Sequence, residues 1–312
     1  MTSIQENTCM DVSFYSYKSG YDGLDIGAVS VLPEGRPVAL IQVAHGMCGS
    51  KERFLPFMQY MAERGVACFA NDHRGHGDSV RSKDDLGYMY GGGLEALVAD
   101  MKIMASNIRE KHPDIPFYMI GHSMGSMAVR AYLRKYPEGV DGVILCGSPG
   151  FNQMAPVGYA FASTACLCGL GRLRPKLLQQ MQSDAYNRCF EDEGAQAWIC
   201  SDPSIRNAFI EDPRHNFRFT LDGSRCLLGL MMQAYSSDGW AIADPELPVL
   251  FLSGEDDSCM GGIPGLDKAM SVMRKAGYRN ISKKIYPAMR HEILNEIGKE
   301  RVWRDILDFL VP

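Results

Sequence analysis

The chain has 312 residues, 46% of them hydrophobic and 22% charged, which is enough for a sizeable core. A formal net charge of −5, an isoelectric point near 5.8 and the lack of any basic run exclude the electrostatic footprint of a nucleic-acid-binding protein. The opening MTSIQENTCMDVSF carries acidic and polar residues where a signal peptide carries basic and then apolar ones, so a cytoplasmic protein is expected.

Residues 12 to 32 alternate apolar and polar side chains around Gly20-Tyr21-Asp22-Gly23, the pattern of a leading antiparallel hairpin. VALIQVAHG then reads as a fully apolar strand ending at His45-Gly46. Phe54 to Glu63 repeats apolar residues at helical spacing, Gly65 closes the helix, and VACFAN is the next strand. Strand, helix and strand at this spacing imply a parallel sheet with right-handed crossovers.

Asp72 to Ser79, DHRGHGDS, follows as a polar loop punctuated by glycine. Its two histidines and its aspartates crowd one tight turn, which suits a hydrogen-bonded brace between neighbouring loops better than a metal site. Gly91 to Gly93 precede a helix over Leu94 to Lys111 but lack the Lys and Ser/Thr of a phosphate loop, so they read as a connector.

Phe117 to Arg130, FYMIGHSMGSMAVR, is an apolar strand, a Gly-His-Ser-Met-Gly turn and a helix. In such a turn Ser123 is forced into a strained backbone conformation with its hydroxyl projecting from the strand end, and the glycines two residues to either side let strand and helix approach. VDGVILCGSPG is a further buried strand. Residues 151 to 240 then lose the alternation and carry a scatter of large apolar side chains (Phe161, Phe190, Trp198, Phe209, Phe217, Phe219, Met231, Met232), as an inserted helical cap would. The rhythm returns with PVLFLSG (248–254), a helix over Leu266 to Ala276, ISKKIYP (281–287) and a closing amphipathic helix through Val302, Trp303, Ile306, Leu307 and Leu310. The expected architecture is thus an α/β core in two parts, 1–150 and 241–312, interrupted by a cap at 151–240.

Ten cysteines occur without a repeated spacing, many inside apolar runs, which fits reduced, buried thiols. The close pair Cys166 and Cys168 has no histidine or carboxylate near it to complete a metal site. Gly147 to Gly171 contains no charge, yet two prolines, five glycines and several hydroxyl and amide residues make it too broken for a bilayer span. It suits a buried or lipid-facing piece of the cap.

A serine hydroxyl at neutral pH is a weak nucleophile and needs a base within hydrogen-bond reach, itself oriented by a third group. Behind a strand-turn-helix serine, an acid and then a histidine follow in chain order. Glu255, Asp256 and Asp257 stand just after one late strand, and His291 just after the next. Of the seven histidines, His291 alone has the required order. Backbone N–H groups must also meet the oxyanion; Met124, next to the serine, and Met47, in the loop after the first apolar strand, are the candidates.

Five stretches together resemble the α/β-hydrolase superfamily, and more closely its monoacylglycerol lipase and lysophospholipase branch, also labelled serine aminopeptidase-like hydrolases. They are VAHGM (43–47), NDHRGHGDS (71–79), GHSMGS (121–126), SGEDDS (253–258) and YPAMRHEILNE (286–296). The resemblance implies Ser123 as nucleophile, His291 as base, and as acid Asp257, which stands three residues after Gly254. It assigns Met47 and Met124 as oxyanion donors. Gly49-Ser50-Lys51-Glu52-Arg53-Phe54 departs from the branch's Glu-His-x-x-Arg-Tyr, whereas Trp198 to Asp202 and Asp212-Pro213 look like cap landmarks of bacterial members.

The implied activity is hydrolysis of a single-acyl lipid ester through an acyl-enzyme, with no metal or organic cofactor. The apolar cap would also touch a membrane or micelle transiently. The alternatives are a short-chain carboxylesterase or aminoacyl hydrolase with the same triad, and a non-catalytic binding protein on the same fold.

Overall fold

The computed structural model describes residues 10–176 and 185–311. Eight strands form one sheet in the order β1-β2-β4-β3-β5-β6-β7-β8. They are β1 Asp11–Lys18, β2 Asp25–Leu32, β3 Ala39–Ala44, β4 Val66–Asn71, β5 Phe117–His122, β6 Gly142–Cys146, β7 Val249–Gly254 and β8 Ile281–Tyr286. The leading hairpin pairs antiparallel, and β2 adds antiparallel to β4; from β4 onward every pairing is parallel.

Parallel strands are covered on both faces, and β3, β4 and β6 are accordingly buried at every position. Alternate side chains enter opposite cores: Leu40 belongs with Met101, Met127 and Met270 to the core on one face, Ile41 with Phe57, Met58 and Trp303 to that on the other. The first core receives helices α2 (Gly93–Lys111) and α3 (Met124–Lys135); the second receives α1 (Leu55–Ala62).

Between β6 and β7 the chain leaves the sheet for a helical segment. It contains α4 (Ala155–Leu167), a 3-10 turn at Arg188–Glu193, α5 (Pro203–Glu211) and α6 (Leu221–Ala234). Asp202 caps α5 by accepting from Ser204 N, and Thr220 caps α6 by accepting from Gly223 N. The uncharged run after Gly147 supplies the 13-residue α4, and no helix among the described residues is long and apolar enough to cross a membrane.

After β7 come α7 (Gly262–Ala276), on the first core, and α8 (Glu300–Leu310), on the second. Helix α7 starts four residues before the expected Leu266. Gly261 enters it with φ 73°, and Pro264 sits in the first turn, where no intrahelical donor is required, so the GGIPG run that reads as a breaker is a helix start.

Candidate active site

The turn after β5 holds Ser123 at φ 54°, ψ −118°, in the left-handed half of backbone space that a side chain seldom occupies. A side chain on Gly121 would strike the backbone of Gly125, and one on Gly125 would strike the carbonyl of Ala44, so both must be glycine for β5 and α3 to close on this turn. Ser123 N donates to Cys146 O at 2.9 Å, tying the elbow to the end of β6.

His291 follows β8 and Asp257 follows β7. The two loops are joined by backbone bonds from Glu255 N to Tyr286 O (2.9 Å) and from Asp256 N to Met289 O (3.0 Å). Of the three neighbouring carboxylates, Glu255 and Asp256 point to solvent while Asp257 is buried. Its oxygens lie 3.1 and 3.0 Å from His291 Nδ1, and it also accepts from Cys259 N at 2.9 Å and Ser253 Oγ at 3.3 Å.

Burial alone would raise the Asp257 pKa, but His291 and these donors hold it below the usual carboxylate range. Burial likewise opposes charge on His291, and Asp257 more than offsets it, raising the imidazole. With the carboxylate at Nδ1, the proton of the neutral ring belongs there and Nε2 is left as acceptor; that atom is buried with no partner among the described residues.

Ser123, His291, Met47 and Met124 line one cleft. Gly46 lies so close to the elbow that a Cβ there would stand 3.1 Å from that of Ser123, which puts the Met47 loop beside the hydroxyl. Met124 opens α3, where backbone N–H groups lack intrahelical acceptors and the helix dipole favours negative charge.

Two different walls enclose the cleft. Met124 and Met127 of α3 face Leu227, Leu228 and Met231 of α6 along an apolar one. Arg53, Glu292 and Asn295 belong to a polar one, where Arg53 pairs with Glu292 and Asn295 Nδ2 donates to Glu292 Oε2 at 3.1 Å. The Trp198 ring lies 5.0 Å from that of His291.

The loop bearing His291 is fastened to the helical segment between β6 and β7. Arg290 donates to Ala197 O at 2.7 Å and pairs with Glu193, Glu292 N donates to Ile199 O at 2.8 Å, and Glu296 accepts from Ser201 N at 2.8 Å. Sequence reasoning placed most of these residues in matching stretches but gave them no role of their own. Glu292, Asn295 and Glu296, falling within five residues of His291, were the available signal.

The remaining histidines brace loops. His45 Nδ1 donates to Gly46 O at 2.7 Å and its Nε2 accepts from His73 N at 2.8 Å, fixing one neutral tautomer. His73 and His76 pack against that ring. His215 of the cap meets Ser50 at 2.9 Å, and His112 ends α2. In the DHRGHGDS turn, Asp72 and Asp78 converge with Glu52 on the ammonium of buried Lys51, a cation already supplied by the protein. Of the apolar cap residues, Trp198, Phe209, Phe217 and Met231 reach the cleft, whereas Phe161 faces solvent.

A largely parallel eight-stranded sheet covered on both faces, with a serine elbow after β5, an acid after β7 and a histidine after β8, defines an α/β-hydrolase. The model of the serine aminopeptidase (S33) family matches residues 35–298, and the chain belongs to that family. It is 27% identical over 303 residues to a monoacylglycerol lipase of Mycolicibacterium smegmatis, covering 95% of this chain and 98% of the relative. It is 25% identical to a monoglyceride lipase of Rattus norvegicus, covering 85% and 83%. Among solved structures it is similar to a thermostable carboxyl esterase from Bacillus coagulans in complex with glycerol, with a TM-score of 0.88, 25% identity, and 96% and 98% of the two chains covered.

Proposed function

We propose that this protein is a serine ester hydrolase that frees the fatty acid of a single-acyl lipid, a monoacylglycerol or lysophospholipid. The observation that carries the reading is the buried Asp257–His291 pair, with its free Nε2, sharing a cleft with a strained serine and an apolar wall. In this reading His291 Nε2 takes the Ser123 proton as the hydroxyl oxygen attacks the ester carbonyl, and the N–H groups of Met47 and Met124 receive the oxyanion. The intermediate collapses, His291 gives the proton to the departing alcohol, and a water deprotonated by the same nitrogen splits the acyl-serine. Asp257 keeps the proton on Nδ1 and balances the imidazolium.

The methionine and leucine side chains between α3 and α6 suit an acyl chain of variable shape, since thioethers repack at low cost. The polar wall beside Arg53 suits the alcohol side. Segment 151–240 acts as the cap and 1–150 with 241–312 as the core. Met154, Val157, Phe161 and Leu167 stand exposed along and beside α4, and this face rests on the lipid aggregate that delivers substrate. The likeness to a carboxyl esterase favours, as a second reading, hydrolysis of short-chain esters.

The test is product release from long-chain monoacylglycerols, lysophospholipids, short-chain esters and aminoacyl amides, with Ser123→Ala as control. Serine-dependent release of long-chain fatty acid is expected. Cleavage of short esters alone moves the assignment to the second reading, and no serine-dependent release of any kind removes both.

A further inference from the structure

Cys259 stands inside the site without a part in that chemistry. It follows Asp257 by two residues, is buried, and lines the cleft beside His291. A carboxylate oxygen of Asp257, the Cys259 sulfur and a ring nitrogen of His291 all lie within 4.8 Å of one another. The nitrogen facing the carboxylate is Nδ1, at 3.0 and 3.1 Å from the two oxygens. We infer that these three side chains form a binding site for a thiophilic divalent cation, with zinc as the representative ion, and that its occupancy switches off the proposed ester hydrolysis. The consequence rests on that reading of function; the binding does not.

One oxygen, one imidazole nitrogen and one sulfur make a donor set for zinc, cadmium or cobalt(II), not for magnesium or calcium, which take oxygen ligands. Bonds of about 2.0–2.3 Å place tetrahedral neighbours roughly 3.3–3.7 Å apart, within reach of these side chains by rotation. The ion enters from the cleft, where sulfur and imidazole are both at the wall, and a water completes the fourth position.

The exchange is coupled to proton loss. Burial, and then Asp257, push the Cys259 thiol well above its ordinary value, so it is neutral and inert near pH 7, and the ion must displace its proton. One proton leaves the sulfur for solvent, the proton on Nδ1 moves to Nε2, and lone pairs on sulfur, nitrogen and oxygen form the three bonds, with no change of oxidation state. Thiolate and carboxylate together neutralise the cation, so no unpaired charge is buried. The moved proton is what disables the site: Nε2–H can no longer accept the hydrogen of Ser123.

The test is a titration of wild type and Cys259→Ser with cobalt(II), followed by zinc inhibition of soluble-ester hydrolysis. Wild type should show a thiolate-to-cobalt charge-transfer absorption that zinc displaces and that the variant lacks. Zinc should inhibit wild type at concentrations at least tenfold lower than the variant, each against its own uninhibited rate, while magnesium leaves both unchanged. A charge-transfer band that persists in a folded Cys259→Ser or Cys259→Ala protein overturns the proposal, as does equal zinc sensitivity. A band confined to wild type in a protein that cleaves no ester would fault the functional reading and leave the metal site standing.

Discussion

Trp198, carried by the helical segment between β6 and β7, covers His291 with ring centroids 5.0 Å apart and planes inclined at 43°. Its indole N–H donates to Gln196 Oε1 at 2.9 Å and its ring meets Tyr186 at 5.0 Å, so the covering side chain is itself held in place. In the proposed mechanism Trp198→Ala should therefore admit water to the imidazole and loosen its orientation. We expect kcat to fall about tenfold to a hundredfold, or roughly 1.4–2.7 kcal/mol of barrier, with KM changing less. Trp198→Phe, which restores a ring, should recover most of the loss; two variants with equal kcat would count against a positioning role.

The pair behind that ring fixes a pH profile. In the proposed mechanism His291 must be neutral at Nε2, and its pKa is raised against burial by Asp257, so kcat/KM should drop tenfold per pH unit below a midpoint lying above the ordinary 6.5 of histidine. Asp257→Asn removes the largest raising influence and leaves burial opposed by Glu292, so the midpoint should move down. The plateau should fall about ten-thousandfold because the ring loses its tautomer. A midpoint unmoved by Asp257→Asn would mean that another group titrates.

Acid should destabilise the fold through the histidines that brace the loops. Burial holds His73 at about 3, and His76 and His122 at about 4. The unfolded chain takes up these protons near pH 6.5 and the folded protein does not, so their contribution to stability is present above that pH and is lost as pH falls toward 3–4. Each group contributes a slope of about 1.4 kcal/mol per pH unit across that window. Neither nitrogen of His73 has a partner among the described residues. His73→Phe should thus keep the packing and make denaturant stability between pH 6 and pH 4.5 shallower by about one proton, which urea titrations at the two pH values would read.

Leu167 is 89% exposed at the end of α4. If the face it shares with Phe161 and Val157 meets lipid, Leu167→Lys should lower the rate on micellar monoacylglycerol several-fold while leaving a soluble ester unaffected. Equal loss on both substrates would show that the change acts on the cleft and not on docking.

Much of this was legible along the chain because it is local. Strands such as VALIQVA and VACFAN are apolar at every position, and a parallel sheet buries both faces, so pattern and burial agree. The elbow is legible in part for the same reason: the backbone that excludes a side chain at Gly121 is that of Gly125, four residues on, whereas the carbonyl that excludes one at Gly125 belongs to distant Ala44. The start of α7 was hidden because Gly261, Gly262 and Pro264 have breaker propensities, yet each is tolerated at a helix entrance.

The polar wall was hidden because it is assembled from afar. Arg53 meets Glu292 across 239 residues, and Glu193 meets Arg290 across 97. Nothing in the local pattern marks either pair. Which apolar cap residues turn inward depended likewise on how the helices lie: Phe217 and Phe161 read alike in the sequence, and one lines the cleft while the other faces water.

The helical segment departs from β6 and returns at β7, and these two strands are hydrogen-bonded neighbours, with Val143 opposite Val249 and Cys146 opposite Leu252. Its two ends are therefore held side by side by the sheet, whatever the excursion between them contains. Ser123, Asp257 and His291 follow β5, β7 and β8, outside that excursion. A lineage built on this scaffold can lengthen, shorten or reshuffle the roof over the cleft while leaving those three side chains where they are.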